Sequence, residues 1–275
     1  MNSFWASVSQ ITILLLYLLA AAGFAMNRLP RFAALARPVL FAACLLAGIG
    51  IVLHGQTLFG LILPGRGFSL SIGHAVSMIG LELALIALLA AIEPTLRGMS
   101  AGLLLLSAWT VLFTGEAVDA PIAVAMPLQV RAHILLALLS SGLLSVGAIV
   151  SIYALLQERR LRSARITAVN HLFAPLETTE KLLIGVASAG FAGLTLAIAT
   201  GSSFINNLVE QHLAHKFSLS LIAWVIFGVL LAGRFFVGWR GKRVIKLYLW
   251  GFVVLGVAYF GSRLILQEVF NRSWA

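Results

Sequence analysis

The sequence is poor in cysteine and in charge. Of its 275 residues one is cysteine, Cys44, and 10% are charged, whereas about a quarter of a soluble domain is charged. A single cysteine excludes an intramolecular disulfide, a CxxC redox pair and a thiolate metal cluster. If this protein handles a metal, histidine must therefore supply the ligands.

The motifs of soluble enzymes are missing as well. The sequence has no Walker loop, no HExxH, no GxSxG and no glycine-rich turn between a strand and a helix. Two acids, Glu116 and Asp119, stand in one loop, but no histidine lies at metal-ligand spacing from them. We therefore expect no covalent catalysis and predict that the protein is not an enzyme.

Hydrophobic residues make up 61% of the chain, and apolar stretches of about 20 residues predict membrane-spanning helices. The predicted fold class is all-α: a polytopic membrane helix bundle that forms a single transmembrane domain over residues 1–275. The fourth span is short, so either its ends are misplaced or the bilayer is locally thinned. The eight predicted spans are Phe4–Met26, Val39–Gln56, Ser69–Ile92, Ala101–Gly115, Leu128–Leu156, Leu182–Gly201, Phe217–Phe236 and Val244–Leu266.

The net charge of +10 is concentrated in the loops on one side of these spans. That side would hold 14 of the 19 lysines and arginines, and basic loops stay in the cytoplasm. Both termini are therefore expected outside, in the periplasm or exterior. The positive charge is explained by orientation and by anionic lipid headgroups, so nucleic acid is not an expected partner.

Five of the six histidines fall on the predicted outer side, and basic residues accompany some of them. A haem group needs axial imidazoles and cationic partners for its propionates. The sequence therefore predicts an outward-facing haem site, with no metal beyond the haem iron. The alternative for each single histidine is an interfacial side chain that hydrogen-bonds the backbone. The candidate axial ligands are His54 or His133 together with His215, and the candidate propionate partners are Arg131, Lys216 and Arg263.

Glu82 is the one carboxylate well inside a predicted span. An acid in the membrane is costly, which by default indicates a proton path, an ion path or a buried pair. The alternative is a structural role, in which a protonated Glu82 bonds a serine such as Ser141 or Ser145. Because no second acid accompanies Glu82, we expect this structural role.

The C-terminal third resembles the end of the cytochrome c assembly transmembrane family (the CcsA/CcmC/HemX superfamily), in particular its YpjD-like branch of bacterial inner-membrane proteins. The resemblance rests on His215-Lys216, on Leu221-Ile222-Ala223-Trp224, on the GWRGKR segment at 238–243 and on the YFGSR segment at 259–263. Earlier in the chain, the HILLALLS segment that begins at His133 resembles the family's histidine-bearing span, and His54 matches an early histidine.

This resemblance implies a multi-helix protein of the bacterial inner membrane that is associated with haem delivery to apocytochromes, with histidines that bind haem b. Membrane lipid and proteins of haem handling or cytochrome assembly would be its partners. The chain departs from the better understood members in one respect, because its external loops between the spans contain no tryptophan. The function predicted is haem binding or handling; the alternative is a non-haem membrane accessory or ion-transport-related subunit.

Overall fold

The structure, a computed structural model, describes residues 3–62, 72–115, 127–162, 174–203 and 214–258. Within these ranges it is helical without a β-strand, which confirms the predicted all-α class. Seven of its helical segments are long and apolar enough to cross a membrane. The α-helices are α1 Ser3–Met26, α2 Ala36–Ile62, α3 Ile72–Ala90, α4 Arg97–Thr110, α5 Leu128–Arg162, α6 Leu176–Ser202, α7 Ala214–Phe236 and α8 Lys242–Gly256.

Prolines mark the starts of helical segments. Pro30 and Pro94 begin short 3-10 helices, and Pro127 and Pro175 directly precede α5 and α6. Proline suits these positions because it lacks the N–H that a helix start leaves unbonded. Leucine and alanine dominate the helix interiors that follow, and both favour the helical backbone.

Two predicted spans differ from the helices in length. The second continues to Ile62 instead of ending at Gln56, and Thr57 remains helical with its hydroxyl bonded to the Leu53 carbonyl at 2.9 Å. The fourth is extended at both ends by 3-10 turns, so the apolar segment Pro94–Thr114 has 21 residues. The predicted ends of this span were therefore wrong, and its length is sufficient to cross the membrane.

The described helices fall into two compact units. The first comprises Met1–Ala132 and Gln157–Leu182, and the second comprises His133–Leu156 and Leu183–Ala275. Helices α1 to α4 belong to the first unit, and α7 and α8 belong to the second. The single transmembrane domain stays a prediction.

In the first unit, α1 packs against α2 and α4, and α3 packs against α2 and α4. Arg97 ties the two turns of this unit together: its Nη1 donates to Asn27 Oδ1 at 2.7 Å and its Nε to the Ala91 carbonyl at 3.2 Å. The turns α1–α2 and α3–α4 thus lie at one end of the unit. This agrees with their predicted position on the same side of the membrane, while the orientation itself stays a prediction.

In the second unit, small residues bring α5 and α6 into close antiparallel contact. A Cβ added to Gly190 would lie 2.8 Å from the Leu144 side chain, and one added to Gly193 would lie 3.0 Å from Ser140 Cβ. Ser140 also donates to the Gly190 carbonyl at 2.8 Å. Small residues permit such close approach of membrane helices.

The turn between α7 and α8 depends on Gly238 and Gly241, whose φ angles are 75° and 63°. These positive angles favour glycine because a Cβ would strain the backbone there. Arg234 closes the turn by donating to the Trp239 carbonyl at 3.0 Å, and the Arg243 guanidinium lies 5.3 Å from the centroid of the Trp239 ring. The GWRGKR segment is therefore a structured helix–helix turn.

Candidate functional site

His54 lies at the centre of a buried polar network in the first unit. Its side chain is 0% exposed. The ring Nδ1 is 3.2 Å from the Tyr17 hydroxyl on α1, and Nε2 is 2.8 Å from the Ser77 hydroxyl on α3. Both ring nitrogens thus have hydroxyl partners, one on each neighbouring helix.

A further buried hydroxyl joins α3 and α4 in the same unit. Ser107 on α4 donates its hydroxyl hydrogen to the Gly80 carbonyl on α3 at 2.7 Å. Tyr17, Ser77 and Ser107 are each 0% exposed. The hydroxyls that contact the imidazole of His54, from α1 and α3, are therefore as buried as the ring itself.

Glycine allows the Tyr17 ring to reach His54. A Cβ added to Gly50 would lie 2.8 Å from Tyr17 Cε1, so the phenol ring lies directly against the backbone of α2. Gly50 precedes His54 by one helical turn, which places both residues on the same face of α2. The two rings then meet edge to face, with centroids 5.8 Å apart and an interplanar angle of 62°.

His54 lies deeper in its helix than the sequence predicted. Because α2 continues to Ile62, the histidine stands eight residues, or about 12 Å, before the helix end. The predicted end of the second span, Gln56, was therefore wrong, and the depth of His54 in the membrane stays a prediction. His54 lies inside a membrane-length helix.

His133 lies in the α5–α6 contact of the second unit. Its Nδ1 is 3.0 Å from Thr200 Oγ1. Gly201 provides space for the imidazole, since an added Cβ would lie 2.8 Å from His133 Cε1. The residue is the sixth of α5, so its predicted position near one end of the fifth span is confirmed.

The remaining predicted ligands are placed only in part. His215 and Lys216 belong to the first turn of α7, and their side chains lie outside the described residues, as does Arg263. Arg131 precedes His133 by two residues on α5, so the two side chains project about 200° apart around the helix. His54 belongs to the first unit and His133 and His215 to the second, and the pocket that the sequence predicts for them stays a prediction.

Glu82 lacks the serine partner that we expected. It is 4% exposed, and neither carboxylate oxygen has a hydrogen-bond partner among the described residues. Ser141 instead donates to the Leu138 carbonyl at 3.0 Å, and Ser145 donates to the Ser141 carbonyl at 2.7 Å. The predicted bond is therefore wrong, because a helical serine satisfies its hydroxyl on the carbonyl three or four residues before it.

Sequence reasoning missed Tyr17, Ser77 and Ser107. The signal was present, because each is a hydroxyl inside an apolar span, where a polar group needs a partner. Hydroxyl groups are common in such spans, however, and the sequence does not indicate which of them bond across helices. Only the packing of α1 and α3 against α2, and of α4 against α1 and α3, distinguishes these three.

Long apolar helices, two of which carry histidines bonded to hydroxyls of neighbouring helices, define a polytopic membrane protein with buried imidazoles. The chain belongs to the cytochrome c assembly protein family, whose family model matches residues 4–269. It is a multi-pass protein of the inner membrane.

Similar proteins carry names from the same family. The inner membrane protein YpjD of Escherichia coli K12 is 29% identical over 239 residues, which are 82% of this chain and 87% of that protein. The cytochrome c biogenesis protein CcsA of Mesostigma viride is 32% identical over 87 residues, 31% of this chain and 28% of its own length. The CcsA protein of Trichormus variabilis is 29% identical over 100 residues, 36% of this chain and 28% of its own. No solved structure matches the chain significantly.

Proposed function

We propose that this protein binds haem b through histidine and handles it in the assembly of c-type cytochromes, without catalytic chemistry of its own. The bound group would supply an iron that takes imidazole ligands and changes its oxidation state. The ligands proposed are His54, His133 and His215. Cytochrome assembly proteins would be the partners, and both termini would lie outside.

One observation carries this proposal: each histidine with a described side-chain partner is held by a hydroxyl at Nδ1. A histidine that ligates a metal usually has its second ring nitrogen fixed by a hydrogen-bond acceptor, which orients the ring. Tyr17 has this position at His54, and Thr200 has it at His133. At His133 this arrangement supports ligation through Nε2, whereas at His54 the Ser77 hydroxyl lies 2.8 Å from Nε2 and a haem iron would have to displace it.

The test is an optical and binding experiment on the purified full-length chain. After expression with ample haem, the wild-type protein should show a Soret band and b-type spectra. His54→Ala and His133→Ala should each reduce the haem content or change the spectrum of the bound haem. A colourless wild-type protein that also fails to bind added haem would contradict the proposal.

A matched control separates ligation from folding. His74 is also buried, at 1% exposed, and lies on α3 in the same unit as His54. His74→Ala removes a buried imidazole of the same size without removing a proposed ligand. It should leave the haem spectrum unchanged, whereas an equal loss in all three variants would indicate that only packing was disturbed.

The second candidate function is that of an ion-transport-related subunit, and Glu82 favours it. A carboxyl group that is 4% exposed and has no hydrogen-bond partner in the described part of the chain is costly, and such acids are typical of proton and ion paths. In this case Glu82→Gln should abolish an ion-dependent response in proteoliposomes and leave the haem content unchanged. Glu93→Gln, at an exposed position beside the α3–α4 turn, is the control and should have no effect.

A further inference from the structure

We propose that the turn between α7 and α8 is a binding site for one anionic phospholipid, whose phosphate group is held by Arg240, Lys242 and Lys246. Residues 234–246 are called the basic turn below. The exposed phenyl rings that end α7 would lie against the acyl chains of the same lipid. The proposal is independent of haem, because no residue of the basic turn is a proposed haem ligand.

The basic turn carries charge of one sign only. Among the described residues of the second unit there is no aspartate or glutamate, and Lys216 is the one lysine or arginine outside the turn. Like charges four residues apart on a helix, as at Lys242 and Lys246, repel each other. A bound anion would relieve this repulsion. The five cations of the turn are Arg234, Arg240, Lys242, Arg243 and Lys246.

Two of these cations give the turn its shape. Arg234 donates from Nη1 to the Trp239 carbonyl at 3.0 Å, and the Arg243 guanidinium lies 5.3 Å from the centroid of the Trp239 ring. The Trp239 ring lies against the backbone of Gly233, since a Cβ added there would overlap it. The Trp239 N–H also donates to the Gly233 carbonyl at 3.0 Å. The basic turn is therefore a defined structure, and its other cations have fixed positions on the backbone.

The other three cations have the chemistry that a phosphate group requires. Arg240, Lys242 and Lys246 are all exposed. Lys242 begins α8, and Lys246, one helical turn later, lies on the same face. Arg240 stands two residues before α8. Phosphate oxygens accept several charge-assisted hydrogen bonds, for which arginine offers a planar pair of donors and lysine a compact charge.

An apolar surface stands directly beside these cations. Phe235, Phe236 and Val237 are 67%, 88% and 69% exposed, and they end a segment, Phe217–Phe236, that is long and apolar enough to cross a membrane. A turn after such a helix lies where acyl chains meet headgroups, and basic clusters there bind anionic headgroups. A phospholipid offers a phosphate and acyl chains in one molecule, whereas an acidic segment of a soluble protein offers the charge alone. Both features of the turn therefore favour the lipid.

The binding is measured by native mass spectrometry on the purified, delipidated full-length protein in detergent micelles, where the orientation in a membrane plays no part. Phosphatidylglycerol is titrated and compared with phosphatidylcholine that has the same acyl chains. The wild-type protein should bind the first phosphatidylglycerol at least about fivefold more tightly, the value of one cation near an anionic headgroup. Equal affinity for the two lipids would overturn the proposal.

Arg240→Gln removes one cation from the proposed site, so the affinity for phosphatidylglycerol should fall by about fivefold. Arg31→Gln is the matched control. Arg31 is also an exposed arginine in a turn, lies in the first unit and has its guanidinium 4.7 Å from the centroid of the Phe32 ring. It should bind the lipid like the wild type. Equal losses in both variants would mean that only the net charge of the protein counts, and this would overturn the site.

Gly241→Ala alters the turn without removing a charge. Gly241 has φ 63° and ψ −139°, a combination that is essentially confined to glycine, so the backbone must change. The affinity should fall by at least as much as in Arg240→Gln. Gly256→Ala on α8 is the control, because no described atom lies within 4 Å of its added Cβ. Binding by Gly241→Ala like that of the wild type would show that the cations act as diffuse charge, against the proposal.

A competition experiment distinguishes the lipid from free phosphate. A large excess of inorganic phosphate should leave phosphatidylglycerol bound, because it has no acyl chains for Phe235 and Phe236 to contact. Displacement of the lipid would indicate a site for a soluble anion and would overturn the assignment to a phospholipid. No haem is added in these titrations, so failure of the proposed function would not affect their outcome.

Discussion

His54 and His133 are held in two different ways. Hydroxyls of two neighbouring helices contact the ring of His54, and the residue is 0% exposed. His133 is only partly buried, and its described side-chain partner, Thr200, lies on α6. The protonation of the first ring therefore depends on the packing of a whole unit, whereas that of the second depends on one neighbouring helix.

In both environments the ring nitrogen Nδ1 contacts a hydroxyl group. Thr200 donates its hydroxyl hydrogen to the Leu196 carbonyl at 2.8 Å, so it accepts from His133 Nδ1. The Tyr17 hydroxyl lies at the same nitrogen of His54, at 3.2 Å. A long chain of bonds, Tyr17–His54–Ser77, joins three helices of the first unit, and a short one, His133–Thr200, joins two helices of the second. The long chain has more points at which a substitution breaks it.

The largest effect is expected from Gly80→Ala, which breaks only the long chain. An added Cβ would overlap the Thr110 side chain, whose Cβ lies 2.7 Å away, so α3 must move from α4 and carry Ser77, the partner of His54 Nε2, with it. Overpacking of this kind costs about 3 kcal/mol. Unfolding in mixed detergent micelles measures the loss, and the ¹⁵N NMR signals of the His54 ring should change while those of His133 stay.

The control for this prediction is Gly102→Ala on α4. Among the described residues, nothing lies within 4 Å of a Cβ added there. This variant should unfold like the wild type. A His54 spectrum that is unchanged in Gly80→Ala would show that the long chain does not determine the ring's protonation.

The next effect is expected from Thr200→Val, which breaks the short chain. It removes the hydroxyl that bonds His133 Nδ1 and preserves the shape of the side chain. Haem affinity at His133 should fall by about tenfold or more, as measured by titration in the His54→Ala background. Thr200→Ser restores the hydroxyl and should restore the affinity; equal losses in both variants would contradict a role for the bond.

The sequence predicts where the helices are but not which side chains form hydrogen bonds between them. The predicted fifth span begins at Leu128, where α5 begins, and α5 continues past Leu156 through the arginine cluster to Arg162. The second span was predicted to end at Gln56, whereas Thr57 bonds its own helix at Leu53 and the helix continues to Ile62.

Hydroxyl partners are beyond prediction from one sequence for a physical reason. Ser100 and Ser145 bond carbonyls of their own helices, whereas Ser77 and Ser107 bond across helices. Both choices satisfy a hydroxyl in an apolar medium equally well. The difference arises only from which helix packs against which face, and this depends on the whole unit.

A smaller effect is expected from Gly50→Ala, which moves a ring without removing a bond partner. The added methyl group would lie 2.8 Å from Tyr17 Cε1 and push the phenol away from His54. We expect a loss of about 1–2 kcal/mol in unfolding free energy and a change in the nitrogen signals of His54, because its contact with Tyr17 is lost. Gly48→Ala on the same helix is the control, because no described atom lies within 4 Å of its added Cβ.

The smallest effect is expected from Ser140→Ala, and it tests whether the short chain depends on more than α6 alone. Ser140 follows His133 by two helical turns and ties α5 to the Gly190 carbonyl. A hydrogen bond between membrane helices contributes about 0.6 kcal/mol on average, so thermal unfolding should shift slightly. If His133 depends only on the local contact with Thr200, its nitrogen signals will not change. A shifted His133 spectrum would mean that several contacts between α5 and α6, and not Thr200 alone, position this ring. His133 would then depend on the packing of its unit as His54 does, only less strongly.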